Sequence, residues 1–274
     1  MKKRLLLHLL VWTFTLWCVA PFAWQIITSL KSNPEIAAVP NVYLPKHLSL
    51  EHYSTLFWRK PFGRYLLNSF LISAGSMILC LFVSSLAAYS VARLHVRGGK
   101  LLLLSLVIIA LFPSIVFFFP LYELVRITHT ANNPIALILP YVTFNLPFAV
   151  LVLTSFFRSV PLDVEEAAKL DGLSRLQILF RIIMPLAAPA LATTGILIFI
   201  ASWNEFLLAL TFMTRDTAKT VTAGVASLGG SSSYDIPWGP IAASVVISTL
   251  PLILLVILFQ RRIIQGLTAG ASKG

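Results

Sequence analysis

The residues able to do chemistry are few and unevenly placed. Of ten Asp and Glu residues in the 274-residue chain, Asp163, Glu165, Glu166 and Asp171 fall within one short stretch that also holds Lys169. That pattern belongs to a charged surface helix. No paired carboxylates, metal-spaced His/Cys cluster or activated nucleophile emerges elsewhere. A phosphate-cradling Gly-x-x-x-x-Gly-Lys-Ser/Thr loop is also missing, so the chain is not expected to hydrolyse a nucleotide or to hold a cofactor or metal itself.

The stretch from Val160 to Pro185 reads as two consecutive short amphipathic helices. Asp163 is placed to cap the first, of about eight residues, and Glu166 three positions later completes a capping box. Glu165 can pair with Lys169 at i,i+4, and Gly172 supplies the left-handed residue that stops the helix. Ser174 and Gln177 repeat the start signal, which predicts a second helix from Arg175 to about Met184, before Pro185 and Pro189. Ala167 and Ala168 let another surface come close to the backbone. The chemistry on offer is docking of a soluble partner.

The elements that must carry this loop are apolar. The chain is 58% hydrophobic and 11% charged, against about 45–50% and about 25% in soluble domains. Six runs are long enough to cross a hydrocarbon core of about 30 Å as helices: Leu7 to Leu30, Leu66 to Val91, Leu101 to Leu121, Ile135 to Phe157, Ala187 to Leu210 and Ile241 to Phe259. They lack strand-like alternation, and a helix satisfies its backbone within one segment, so the expected fold is all-α, a single polytopic unit over residues 1–274. Met1 to Arg4 followed by an apolar run also fits a cleaved signal, but the run is too long for a signal core and Trp17 before Cys18 is bulky for lipoprotein processing; the first span is expected to stay. Cys18 and Cys80 fall within spans, as small packing residues with no disulfide or metal spacing.

The net charge of +11 reflects loops flanking membrane spans; nucleic acid is not the expected partner. With the amino terminus inside, thirteen of the basic residues lie on the inner side and eight on the outer, five of those in the first outer loop. Both termini are therefore expected in the cytoplasm. Three connections are long: outer Lys31 to Gly63, inner Arg158 to Leu186, and outer Thr211 to Pro240, the last expected to be flexible because of Gly224, Gly229, Gly230 and Ser231 to Ser233.

Glu166-Ala167-Ala168, Gly172 after three residues, then Ile182 and Pro185 after nine, resembles the EAA loop of ABC importer permeases. Met184 replaces the usual Leu, a volume-conserving exchange. Tyr65 to Ser69, Ala87 to Arg93, Ser202 to Glu205 and Gly266 to Gly270 with Lys273 and Gly274 are similar to maltose/trehalose-type carbohydrate permeases, closest to the second of their two permease subunits. The resemblance covers nearly the whole chain.

It implies a bacterial or archaeal cytoplasmic-membrane protein that forms a path for a sugar, oligosaccharide or polyol with a second permease subunit. It further implies two ATP-binding subunits that hold ATP and Mg, and an extracytoplasmic solute-binding protein. Val164 to Asp171 would be the coupling helix, with Glu165, Glu166, Ala167, Ala168, Asp171, Gly172, Ile182 and Pro185 as coupling residues. The tail from residue 260, expected to be flexible, would contact the ATPase pair through Gly266, Leu267, Thr268 and Gly270.

Polar residues within spans are candidates to line the cargo path: Tyr141, Asn145, Trp203, Asn204 and Glu205. Glu205 is the one acid inside an expected span, near its outer end, and pairing with a neighbouring subunit is an equal alternative. Permeases for amino acids, peptides or phosphate are alternatives within the class. An ion-coupled carrier is the rival outside it, but the span centres contain no His.

Overall fold

The computed structural model describes residues 2–94, 96–229 and 236–271, and all regular structure among them is helical. The first half comprises α1 (Lys2–Ser29), α2 (Asn33–Ile36), α3 (Glu51–Trp58), α4 (Phe62–Arg93), α5 (Gly99–Ala110), α6 (Phe118–Ile127) and α7 (Ile135–Ser159). The second comprises α8 (Leu162–Leu170), α9 (Arg175–Ile178), α10 (Met184–Leu186), α11 (Ala188–Trp203), α12 (Leu207–Phe212), α13 (Val221–Ala226) and α14 (Trp238–Ala271).

Helices α1, α4, α7 and α14 are long and apolar enough to cross a membrane. Two bent pairs bring the total to as many as six spans: 99–110 with 114–127, bent by 90°, and 175–186 with 188–203, bent by 83°. The third expected span therefore breaks. Pro113 sits in extended backbone after α5, where it has no N–H to continue the helix. The fifth expected span also ends early, at Trp203.

Helix α4 is the centre of the bundle and packs against α7 and α11, while α14 packs on α11 and carries α1 at the periphery. Apolar burial cannot drive association inside lipid, so close backbone approach has to do it. Along α4 a buried stripe of Ser69, Ser73, Ser76, Cys80 and Ser84 provides that approach. Facing glycines extend it: a Cβ on Gly75 would lie 3.2 Å from Ile138 Cδ1, and one on Gly195 would lie 3.0 Å from Leu81 Cδ1. Cys80 is thus the packing residue expected, whereas Cys18 is exposed on α1.

At the end of the bundle remote from α8, the segment expected to be a flexible connection is folded onto α4. Asn68 Nδ2 donates to the carbonyls of Thr217 (3.0 Å) and Lys219 (2.9 Å), and the Val221 amide donates to Ser69 Oγ at 2.7 Å. Gly224 lies against the Tyr65 ring, where a Cβ would come within 2.3 Å of Cδ2. This glycine serves close packing. Gly230 and Ser231 to Ser233 lie outside the described residues. The backbone of α14 is helical to Ala271, and residues 272–274 of the tail lie outside the described residues.

Replacing Gly224 with Ala is expected to lift α13 off Tyr65 and cost about 1–3 kcal/mol, as overpacking of a tight contact does. Thermal unfolding of the purified chain measures this. An unchanged midpoint would contradict the packing role.

Candidate functional site

Helix α8 starts two residues earlier than its capping signal implies. Pro161 occupies the N-cap position without a side-chain hydrogen bond, and Asp163 already lies in the first helical turn with Glu165. Asp163 is therefore not the cap. Pro161 presets the entry to the helix, and both acids favour its positive end. The other local signals hold: Gly172 ends the helix at φ +81° with open space where a Cβ would stand. Substitution there would strain the backbone, the cost a left-handed position imposes on residues with a Cβ. Ser174 and Gln177 form the capping box of α9, with Ser174 N donating to Gln177 Oε1 at 2.8 Å and Gln177 N donating to Ser174 Oγ at 3.4 Å.

One face of α8 is held by the bundle. Glu165 is 2% exposed. Its Oε2 lies 3.5 Å from Arg93 Nε, an ion contact longer than a hydrogen bond; its Oε1 accepts from Tyr89 OH at 3.3 Å and pairs with Lys169 Nζ at 3.1 Å. Arg93 Nη2 also donates to the carbonyls of Phe157 (2.6 Å) and Val160. A single guanidinium thus joins the end of α4, the end of α7 and the start of α8. Ala168 is buried beside it in a cluster with Ala88, Tyr89, Phe157, Ile178 and Ile183, against which Ile182 packs.

The opposite face has no cover. Glu166, Ala167, Asp171 and Pro185 are exposed, and Leu170 is 90% exposed. This face thus carries an apolar side chain, Leu170, between Glu166 and Asp171. Behind it the chain passes through a π-helical turn, Leu179–Ile183, and bends sharply at Ala187 between Pro185 and Pro189. Neither proline can donate a helical N–H, which fixes the place of the bend.

The cargo-path candidates divide. Tyr141 OH donates to Glu205 Oε2 at 2.6 Å, while Leu208 N and Ala209 N donate to Glu205 Oε1 (2.8 Å) and Oε2 (3.1 Å). Thr222 Oγ1 donates to the Glu205 carbonyl at 2.8 Å. Glu205 therefore lies in a break between helices just beyond the end of α11, where its carboxylate accepts from two amides of α12 and it holds α7 and α13 to that helix. Asn145 Nδ2 donates to the Tyr141 carbonyl at 2.8 Å. Trp203 is buried and stacked on Phe199. Asn204 is exposed and lines a cavity of about 380 Å³ together with Trp203, Thr222, Ser248 and Thr249. The backbone of Gly266, Leu267, Thr268 and Gly270 is helical within α14; their side chains lie outside the described residues.

Arg93, Tyr89 and Asn68 were not among the site residues read from the sequence. Each belongs to a segment similar to the carbohydrate permeases, and that similarity was the only signal available for them.

A multi-pass helical bundle that presents one anchored, half-exposed helix between two of its spans is the architecture of a membrane component of a transport system. The chain belongs to the family of binding-protein-dependent transport system inner membrane components, which its residues 80–269 match. It is 38% identical to the sulfoquinovosyl glycerol transport system permease protein SmoH of Agrobacterium fabrum, over 93% of this chain and 88% of the relative. It is 39% identical to the trehalose/maltose transport system permease protein MalG of Thermococcus litoralis, over 99% and 98%. Its fold is similar to that in the crystal structure of a bacterial ABC transporter involved in the import of the acidic polysaccharide alginate, with a TM-score of 0.81 at 20% identity, covering 95% of this chain and 96% of the other.

Replacing Glu165 with Ala leaves Arg93 without its carboxylate and is expected to cost about 3–5 kcal/mol, more than Arg93→Ala, after which Lys169 still pairs with Glu165; replacing both Arg93 and Glu165 with Met is expected to be near neutral. Unfolding of the three variants in one detergent tests this. Equal losses in the single and double variants would contradict the pairing.

Proposed function

We propose that this chain is one of two permease subunits of an ATP-driven importer for a sugar, oligosaccharide or polyol, and that α8 is the element through which ATPase subunits move it. The observation that carries the reading is the division of α8 into a face anchored by Arg93 and a bare face of Glu166, Ala167, Leu170 and Asp171. An anchored helix transmits displacement; a bare one receives it. The cargo class is supported by the names of relatives near 40% identity over nearly the whole chain.

In this reading α8 sits in the cytoplasm with both termini, and ATP and Mg are held by two partner ATPase subunits. Closure of that pair on ATP carries α8 as a rigid body, and the anchored ends of α4 and α7 and the attached α11 tilt with it. Access to the cargo path alternates because the two nucleotide states favour different arrangements. Glu166 makes a charge-assisted contact with a basic residue of the ATPase, and Gly266, Leu267, Thr268 and Gly270 form a second contact. The solute-binding protein docks at the opposite end, over the folded segment from Thr211 to Pro240 and the first outer loop. The cavity beside Asn204 opens toward the path, while Glu205, occupied by four hydrogen bonds, shapes it without touching cargo.

Uptake of labelled di- and oligosaccharides, polyols and amino acids by cells lacking the gene tests both parts. The native chain should restore uptake of one carbohydrate, and Glu166→Lys at matched membrane abundance should lower it at least tenfold. Restoration of an amino acid alone would remove the cargo assignment. Full rescue by Glu166→Lys would remove the coupling role of the bare face.

A further inference from the structure

Beyond the turn that ends α1, the chain buries a lysine without giving it a counter-charge. Lys31 is 4% exposed, and its ammonium lies 4.5 Å from the centroid of the Trp24 ring. Among the described residues Nζ meets no carboxylate within ion-pair distance and no hydrogen-bond acceptor. The backbone at this position is fixed: the Lys31 carbonyl is hydrogen-bonded to His52 Nε2 at 2.8 Å, and Ser29 Oγ meets Tyr53 OH at 2.7 Å. His52 in turn fills the space a Cβ on Gly239 would need.

Lys31 opens onto a cavity of about 250 Å³ whose walls include Trp24, Gln25, Glu35, Asn41 and Trp238. The loop that follows α1 supplies part of its wall. Glu35 Oε1 accepts from Lys46 N at 2.9 Å and Oε2 accepts from Ser32 N and Ser32 Oγ, both at 3.1 Å, while Tyr43 sets its edge against Trp24. The Ser32 and Lys46 amides hold the Glu35 carboxyl below the usual carboxylate range. The cavity thus presents a cation and an anion more than 4 Å apart, with two indoles among its walls.

One cation–π contact serves one side of an ammonium and leaves its other donors free for a ligand that enters the cavity. Water can fill such a space, but it cannot supply opposite charges at two separated points. A zwitterion can. The location narrows the choice: Trp24 closes the last turns of one span, Trp238 opens another, and both are partly exposed, as indoles at the depth of lipid headgroups are.

We propose that this cavity binds the phosphoethanolamine headgroup of a membrane lipid, with its phosphate on Lys31 and its ammonium on Glu35 and the indoles. The site lies at the end of the bundle remote from α8, and it is independent of which solute the importer carries.

The test uses the assembled importer, purified from bilayers holding equal amounts of phosphatidylethanolamine, phosphatidylglycerol and phosphatidylcholine, with retained lipid counted by mass spectrometry. The native protein should retain phosphatidylethanolamine at least fivefold over the other two. Lys31→Met, which keeps the apolar stem on Trp24, should lose that enrichment. Lys31→Arg should keep it, and Asn41→Phe, which fills the cavity without altering either charge, should lose it. Equal retention by native and Lys31→Met protein, or enrichment of phosphatidylglycerol, would overturn the site. Displacement of the lipid by soluble glycerophosphoethanolamine at equal concentration would overturn the assignment to lipid in favour of a soluble ligand of the same chemistry.

Discussion

A carboxylate on a nine-residue surface helix and a guanidinium at the end of a 32-residue span meet out of water. The contact between Glu165 and Arg93 is costly to make and costly to break, because Arg93 has no other carboxylate within ion-pair distance among the described residues, while Glu165 would keep Lys169 alone. Its value here is geometric. Arg93 also holds the carbonyls of Phe157 and Val160, so the ends of α4 and α7 and the start of α8 cannot separate without stranding a charge. The orientation of α8 follows, and with it which residues face the bundle and which face a partner.

In the proposed reading, helix α11 links the two ends of the bundle. It starts at the bend behind the anchored loop and ends at Trp203, where Glu205 gathers Tyr141 of α7, two amides of α12 and, through its carbonyl, Thr222 of α13. Asn68 and Ser69 at the start of α4 clamp the same folded segment. The two ends of α4 therefore grip opposite ends of the machine, and the small-residue stripe between them lets α4, α7 and α11 stay close enough to move together. In the proposed reading, segments joined at these two polar clusters, with bends at Ala187 and after Trp203, act as a two-ended lever.

Much of this was legible in the sequence, and the limits were physical. Gly172, the Ser174–Gln177 box and the Glu165–Lys169 pair are local, so spacing alone reveals them. Asp163 misled because Pro161 sets the start of the helix before any side chain can cap it. The pairing of Glu165 with Arg93 and Tyr89 joins residues far apart in the chain, and no periodicity encodes it. Glu205 was placed inside a span because hydropathy continues through to Leu210, whereas the backbone breaks at Asn204 and the acid caps the short helix that follows. The segment around Gly224 looked like a linker by composition; its glycine meets the Tyr65 ring instead.

The central claim is that the Arg93 anchor makes α8 and the end of α4 one body throughout the transport cycle. Distances between spin labels at Leu170 on α8 and Leu94 beyond α4, recorded in the reconstituted importer without nucleotide and with ATP trapped, test it most directly. The account predicts that this distance stays within about 1–2 Å in both states while that from Leu170 to a label on the ATPase-remote end of α1 changes, as rigid-body motion about a hinge requires. A change of several ångströms between Leu170 and Leu94, with the span ends unmoved, would contradict it.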